Sequence, residues 1–77
     1  MDAKLETLLM VHETGNYTRA ARLLSLTQPA VSQHIKQLEG ELGVKLFNRS
    51  SGELRLTTEG EIVLKYAKRI RMLQQNL

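Results

Sequence analysis

The chain has 77 residues, a formal net charge of +3 and no cysteine. This length suffices for one small domain, and the lack of cysteine excludes disulfides and a thiolate zinc site. No apolar segment approaches the roughly 20 residues needed to cross a bilayer. The mild positive charge is compatible with a polyanionic partner but does not identify one.

Residues 2–14 form the first predicted helix. Its apolar stripe consists of Leu5, Leu8, Leu9 and His12. We expect His12 to be half-buried rather than a metal ligand, because no second ligand group has suitable spacing. Gly15-Asn16 then ends the helix by turn chemistry.

The second predicted helix is short and covers the sequence TRAARLL, with Thr18 as its N-cap. Its inward side is expected to be formed by Ala20, Ala21, Leu23 and Leu24. Paired alanines allow another helix to approach closely. The short connection Ser25–Thr27 leads into the next helix, which predicts a helix-turn-helix, although the turn lacks the glycine that many such motifs contain.

The third helix, residues 28–42, has signals at both ends. Thr27 can cap its start, Pro29 fits the first turn, and Gly43 suits its left-handed end. One predicted buried face comprises Val31, Ile35, Leu38 and Leu42. The opposite face is polar and comprises Pro29, Ser32, Gln33, Lys36, Gln37 and Gly40. Such a face fits a DNA groove, and the alternative is an ordinary surface helix of a small bundle.

Beyond Gly43 the periodicity changes to that of strands. Two segments, Val44–Arg49 and Glu53–Leu56, flank the turn sequence Ser50–Gly52 and predict a β-hairpin. A two-stranded hairpin is marginal alone and must pack on the helices. We expect Phe47 in the core.

The last helix is predicted to begin at a cap formed by Thr57 or Thr58. Its apolar residues recur at spacings of three and four, as in a helix that pairs with another helix. They form what we call the α4 stripe: Val63, Tyr66, Ile70, Leu73 and Leu77. No stop signal precedes Leu77, so we expect more protein to follow.

Helix-turn-helix, hairpin and long helix together predict a mainly α fold, the winged helix-turn-helix. The motifs TRAA, TQPAVSQ, LE-x-x-LG-x-x-LF-x-R and LT-x-x-G occur in this order across almost the whole chain. In them the chain resembles the N-terminal DNA-binding domain of LysR-type transcriptional regulators. The resemblance implies a winged helix-turn-helix over residues 1–57 and a linker or dimerisation helix over residues 58–77, with the effector-binding domain absent from this chain.

The resemblance also implies the partners and the roles of individual residues. It implies a bacterial, cytoplasmic and nucleoid-associated protein that binds double-stranded DNA at dyad-symmetric operators. The homodimer would form through the α4 stripe, and the resemblance also allows a tetramer of the full-length protein. A small-molecule effector would bind only the absent domain. No cofactor is expected here. The implied DNA-binding residues are Thr18, Thr27, Gln28, Pro29, Ser32, Gln33, Lys36, Arg49, Ser50 and Ser51.

The hairpin departs from the family, whose wings often carry several arginines around the turn. Here Ser50, Ser51 and the acidic Glu53 occupy that region, so a strong minor-groove contact is not expected. Arg49 is the available cation, together with Arg55 unless it pairs with a neighbour. His34 is either a base contact or a solvated flank residue.

Two other classes of function compete with DNA binding. A protein-interaction module would show large apolar anchors on the outer face of the third helix, where this chain has polar residues. An enzyme would need a nucleophile, a base and an orienting group, and no such set is visible, since Asp2 is the only aspartate and Ser32 and His34 diverge on a helix. We therefore predict that the chain is not an enzyme.

Overall fold

Four helices and one β-hairpin make up residues 2–76, the part of the chain that the computed structural model describes. In chain order they are α1 (Ala3–Thr14), α2 (Tyr17–Leu24), α3 (Gln28–Leu42), β1 (Phe47–Ser50), β2 (Glu53–Leu56) and α4 (Thr58–Gln75). Each helix begins at a polar side chain that accepts a hydrogen bond from a first-turn N–H: Asp2, Asn16, Thr27 and Thr57. The mainly α, winged helix-turn-helix fold predicted from the sequence is confirmed.

Three details of α1 and α2 were predicted wrongly. Asn16, not Thr18, caps α2, because its side-chain oxygen accepts the Arg19 N–H at 2.9 Å. Thr18 therefore lies inside the first turn of α2. His12 is exposed rather than half-buried, and Leu23 is 60% exposed rather than inward-facing.

The core lies where α1, α2 and α3 pack against one another and against the base of the hairpin. Its most deeply buried side chains are Leu8, Val11, Val31 and Leu46. Phe47 is buried there, as predicted. The predicted α3 face is buried at Val31, Ile35 and Leu38, whereas Leu42 is 47% exposed. The α3 face therefore leaves the core at its last turn.

The helix α4 packs on this core through Gly60, Leu64 and Ala67. These residues lie beside the α4 stripe, not on it. Within the stripe, Val63 is partly buried, Tyr66 is 58% exposed, and Ile70 and Leu73 are exposed as well. Leu77, the last predicted member, lies outside the described residues. Most of the stripe is therefore free of the domain's own core.

A tight contact joins the base of the hairpin to the start of α4. The Thr57 N–H donates to the Leu46 carbonyl at 2.9 Å, while the Thr57 hydroxyl donates to the Lys45 carbonyl and accepts the Gly60 N–H at 2.8 Å. The Cα of Gly60 packs so closely on Leu46 that a Cβ there would overlap its carbonyl oxygen. Only glycine fits this position without displacing the hairpin or α4.

We therefore expect Gly60→Ala to lower the free energy of unfolding by about 1–3 kcal/mol, through overlap with backbone that cannot rotate away. The matched control is Gly40→Ala, on an exposed part of α3 where a Cβ meets nothing. That change should raise stability by up to about 1 kcal/mol, because alanine favours helix. Urea unfolding followed by circular dichroism measures both, and equal stability of the two variants would contradict the packing argument.

Candidate nucleic-acid interface

The turn between α2 and α3 holds the two helices in a fixed relation. Ser25 adopts the left-handed conformation (φ 58°) that glycine often takes in such turns, and the Leu26 N–H donates to the Ala21 carbonyl at 2.8 Å. Thr27 then caps α3 by accepting the Ala30 N–H at 3.2 Å, as predicted. A serine therefore supplies the conformation that the missing glycine would have supplied.

The outer face of α3 is available to a partner. The exposed residues on this face and at the start of the helix are Gln28, Pro29, Gln33, Lys36 and Gly40, and Ser32 is half-buried. Helical spacing places Pro29, Gln33, Lys36 and Gly40 along one side. Lys36 makes no ion pair with residues 2–76. The face presents hydrogen-bonding groups and one uncompensated cation.

His34 lies on the flank of α3 that faces α1. Its Nδ1 is 2.7 Å from the hydroxyl of Thr7, a buried residue of α1 whose hydroxyl also lies 3.0 Å from the Ala3 carbonyl. The imidazole therefore joins the two helices. Neither interpretation of His34 from the sequence, base contact or solvated flank, included this bond.

Glu39 connects α3 to the hairpin. Its carboxylate accepts the Leu46 N–H at 2.8 Å, so the segment before β1 is held against α3. Nothing in the helical periodicity distinguishes Glu39 from Glu41, which instead pairs with Lys4 at 3.0 Å. The contact could not be predicted from the sequence, because its donor is a backbone N–H, which every residue except proline has.

Tyr17, at the start of α2, links the helix-turn-helix to the hairpin through an aromatic contact. Its ring meets that of Phe47 edge to face, with centroids 6.4 Å apart. Partial burial raises the pKa of the Tyr17 hydroxyl, the Glu39 carboxylate raises it further, and Arg49 lowers it. The charges of Glu39, in the last turn of α3, and of Arg49, on the hairpin, therefore act in opposite directions on this hydroxyl.

The hairpin ends in a two-residue turn, because Ser50 pairs with Glu53 and both Ser51 and Gly52 have positive φ. Arg55 pairs with Glu53 at 2.8 Å, which is the neighbour pairing that the sequence left open. Arg49 makes no ion pair with residues 2–76 and stays exposed. Of the two hairpin arginines, Arg49 is thus the one without a carboxylate beside it.

Two cations of α2 were not singled out from the sequence. Arg19 and Arg22 line a polar surface depression together with Thr18 and Asn16. Both arginines are exposed and make no ion pair within residues 2–76. Their spacing of three along a helix was the available signal, because it places both on one side of α2.

Residues 2–76 contain no group of three His, Asp or Glu side chains that could hold a metal ion. None of the helices in this range combines the length and apolarity that crossing a membrane requires.

The comparison with known proteins identifies the family. The family described as "Bacterial regulatory helix-turn-helix protein, lysR family" matches residues 3–61. The chain belongs to the LysR family. It is thus a helix-turn-helix DNA-binding domain of a transcriptional-regulator family, which is not an enzyme family.

Individual relatives agree with this assignment. The HTH-type transcriptional regulator HdfR of Salmonella newport is 52% identical over 69 residues, which are 88% of this chain and 25% of HdfR. A LysR-family regulator from Eggerthella lenta is 47% identical with a TM-score of 0.83, over 88% of this chain and 97% of that one. The CbnR_DBD-DNA complex matches with a TM-score of 0.89 and 35% identity, over 99% and 88% of the two chains. The chain spans about a quarter of the length of the curated relatives it matches.

The corrected cap of α2 can be tested by substitution. Asn16→Ala should lower the free energy of unfolding by about 0.5–2 kcal/mol, because the Arg19 N–H loses its acceptor. Thr18→Ala is the matched control and should change stability by less than about 0.5 kcal/mol, since exposed positions tolerate truncation. Thermal and urea unfolding measure both variants. A larger loss for Thr18→Ala would restore Thr18 as the cap.

Proposed function

We propose that this chain binds double-stranded DNA in a sequence-specific manner and as a homodimer, with α3 in the major groove of each half-site. The observation that carries the proposal is the exposed polar face of α3 opposite a buried apolar face. A major groove admits one helix, and its base edges pair with amide and hydroxyl groups. The similarity to the CbnR_DBD-DNA complex, in which a domain of this fold is bound to DNA, supports the same partner for this chain.

The α3 residues divide by chemistry into base contacts and phosphate contacts. Gln28, Ser32 and Gln33 are assigned to base edges, because an amide can pair bidentately with adenine. Lys36 is assigned to phosphate, since its ammonium acts as a point charge, and Thr18 takes the same role at the start of α2. Thr27 and Pro29 set the position of the helix end from which these side chains project.

The wing is assigned a backbone-binding role with little sequence discrimination. Arg49 supplies its free cation, and Ser50 and Ser51 form the exposed end of the hairpin. The Arg55 charge is compensated by Glu53, so it adds little to the attraction for a narrow minor groove. Phosphate contacts position a protein on the duplex, whereas base contacts specify the sequence.

Dimerisation is proposed because the expected operator is dyad-symmetric. One recognition helix reaches few base pairs, so a dyad-symmetric operator requires two domains at a fixed spacing. The α4 stripe supplies the contact, because Tyr66, Ile70 and Leu73 are apolar and largely outside the domain's own core. For the whole protein we propose a cytoplasmic, nucleoid-associated regulator whose small-molecule effector binds a further domain, with no cofactor in this one.

Selection of binding sites from random DNA tests the α3 assignment. Gln33→Ala should relax the preference at one base position and weaken the selected site by about 1–3 kcal/mol. Lys36→Ala should weaken all sequences alike and lower the salt slope by about 1, because one phosphate contact is lost. The matched controls are Gln74→Ala and Lys68→Ala on α4, which should bind as the unaltered chain does. An unchanged consensus for Gln33→Ala would show that this side chain reads no base.

The dimer contact is tested by placing charges in the α4 stripe. Ile70→Asp combined with Leu73→Asp should give a folded monomer, because both side chains are already exposed in the single domain and burial of a carboxylate against its copy is unfavourable. The monomer should bind a full palindrome no better than a half-site. The control combines Gln74→Asp and Gln75→Asp, which add the same charge at exposed polar positions. Sedimentation measures the oligomeric state of each variant, and band-shift assays measure its binding to DNA. If the stripe variant is still a dimer, the dimer contact lies outside the α4 stripe.

A further inference from the structure

Tyr17, the first residue of α2, places a phenol between the helix-turn-helix and the hairpin. Its ring lies edge to face against Phe47 of β1, which defines its position relative to the hairpin. Its hydroxyl makes no hydrogen bond within residues 2–76. No buried side-chain nitrogen or oxygen atom in this range lacks a partner, so the hydroxyl must reach the surface. Tyr17 therefore presents a polar group that its own domain does not use.

Arg49 lies on the same face of the hairpin as Phe47. Side chains alternate between the two faces of a strand, so positions 47 and 49 of β1 share one face. Their cross-strand partners are Leu56 and Leu54, which are both partly buried against the core. This face is therefore the one that turns toward the helices. Arg55 lies on the opposite face, where a carboxylate pairs with it.

The charges around the Tyr17 hydroxyl leave it able to donate to an anion. Partial burial and the Glu39 carboxylate raise its pKa above the ordinary value, while Arg49 acts in the opposite direction. The hydroxyl therefore stays protonated at neutral pH and is a hydrogen-bond donor. Glu39 already accepts the Leu46 N–H at 2.8 Å, whereas Arg49 makes no ion pair within residues 2–76. A donor and a cation without a carboxylate partner thus lie on the same side of the hairpin.

We propose that the Tyr17 hydroxyl and the Arg49 guanidinium bind the same phosphate of the DNA backbone, between α2 and the wing. The inference rests on the proposed DNA binding and deepens it, because it adds Tyr17 to the residues that contact DNA. Thr18, the next residue of α2, and Arg49 are already assigned to the backbone. A phosphate oxygen accepts hydrogen bonds from a phenol and from a guanidinium, and such charge-assisted bonds are stronger than neutral ones.

A shared phosphate would link the wing to α2 only while DNA is bound. In the free domain α2 meets the hairpin at its base, through the contact between the rings of Tyr17 and Phe47. The phosphate would add a second link closer to the turn of the hairpin, since Arg49 lies two residues beyond Phe47 on β1. Phosphate contacts position a protein on the duplex without reading bases. The Tyr17 hydroxyl should therefore strengthen binding to every DNA sequence alike.

Removal of the hydroxyl alone tests the contact. Tyr17→Phe keeps the ring and its contact with Phe47, so the urea midpoint of unfolding should be unchanged. The affinity for an operator selected from random DNA should fall about tenfold, as expected for the loss of one hydrogen bond to a charged group. The slope of log affinity against log salt concentration should stay the same, because a neutral hydroxyl releases no counterion. Band-shift assays over a series of salt concentrations measure both quantities.

Arg49→Gln tests the charged half of the same site, and Arg55→Gln is its matched control on the opposite face of the hairpin. Arg49→Gln should lower the affinity and reduce the salt slope by about 1, because one cation no longer neutralises a phosphate. Arg55→Gln should bind as the unaltered chain does, since its charge is compensated within the domain. If Tyr17→Phe also reduces the salt slope, the substitution has disturbed the wing, and the hydroxyl contact is overturned.

Methylphosphonate groups, which remove the charge of single phosphates, locate the contact on the selected operator. In each half-site one such group should weaken the unaltered chain strongly but have little further effect on Tyr17→Phe and on Arg49→Gln. If the two variants lose their sensitivity at different phosphates, the shared site is overturned. Tyr17→Phe that binds as tightly as the unaltered chain would also overturn it. An unaltered chain that binds no DNA would instead refute the proposed function.

Discussion

The carbonyl group of Leu46 is the point on which the positions of the hairpin and α4 both depend. It accepts the Thr57 N–H from one side, and the Cα of Gly60 rests against it from another. The N–H of the same residue donates to Glu39 of α3. One peptide segment thus contacts α3, the hairpin and α4, so the direction in which α4 leaves the domain is fixed relative to α3. A dimer through α4 can set the spacing of two recognition helices only if this direction is fixed.

Helix positions and most caps were predictable because they depend on local chemistry. Thr27, Pro29 and Gly43 define α3, and the structure places its ends as expected. The cap of α2 was predicted wrongly because Asn16 and Thr18 are both good caps, and local chemistry alone does not choose between them. In the structure Asn16 is the cap, and α2 begins with Tyr17, whose ring contacts Phe47.

Contacts between distant segments were beyond the reach of the sequence. Leu64 and Ala67 pack α4 on the core, and of the α4 stripe only Val63 joins them among the described residues. Periodicity could not tell which of two apolar faces of one helix turns inward. The Glu39 bond and the Thr7–His34 bond join residues that no spacing rule connects. For the residues proposed to contact DNA, the helical pattern of the sequence predicted the shared face and the structure shows that this face is exposed, whereas their roles stay predictions.

The bond between Thr7 and His34 has a consequence for how the binding specificity of such a domain can evolve. Gln33 is exposed, so a substitution at this proposed base contact is expected to alter the preferred operator with little effect on folding. His34 is bound to a buried hydroxyl, and its replacement leaves that hydroxyl with the Ala3 carbonyl alone. Replacement of His34 is therefore expected to weaken the packing of α3 on α1, whereas replacement of Gln33 is not. The helix α3 thus combines an exposed polar face with a flank that is hydrogen-bonded to α1.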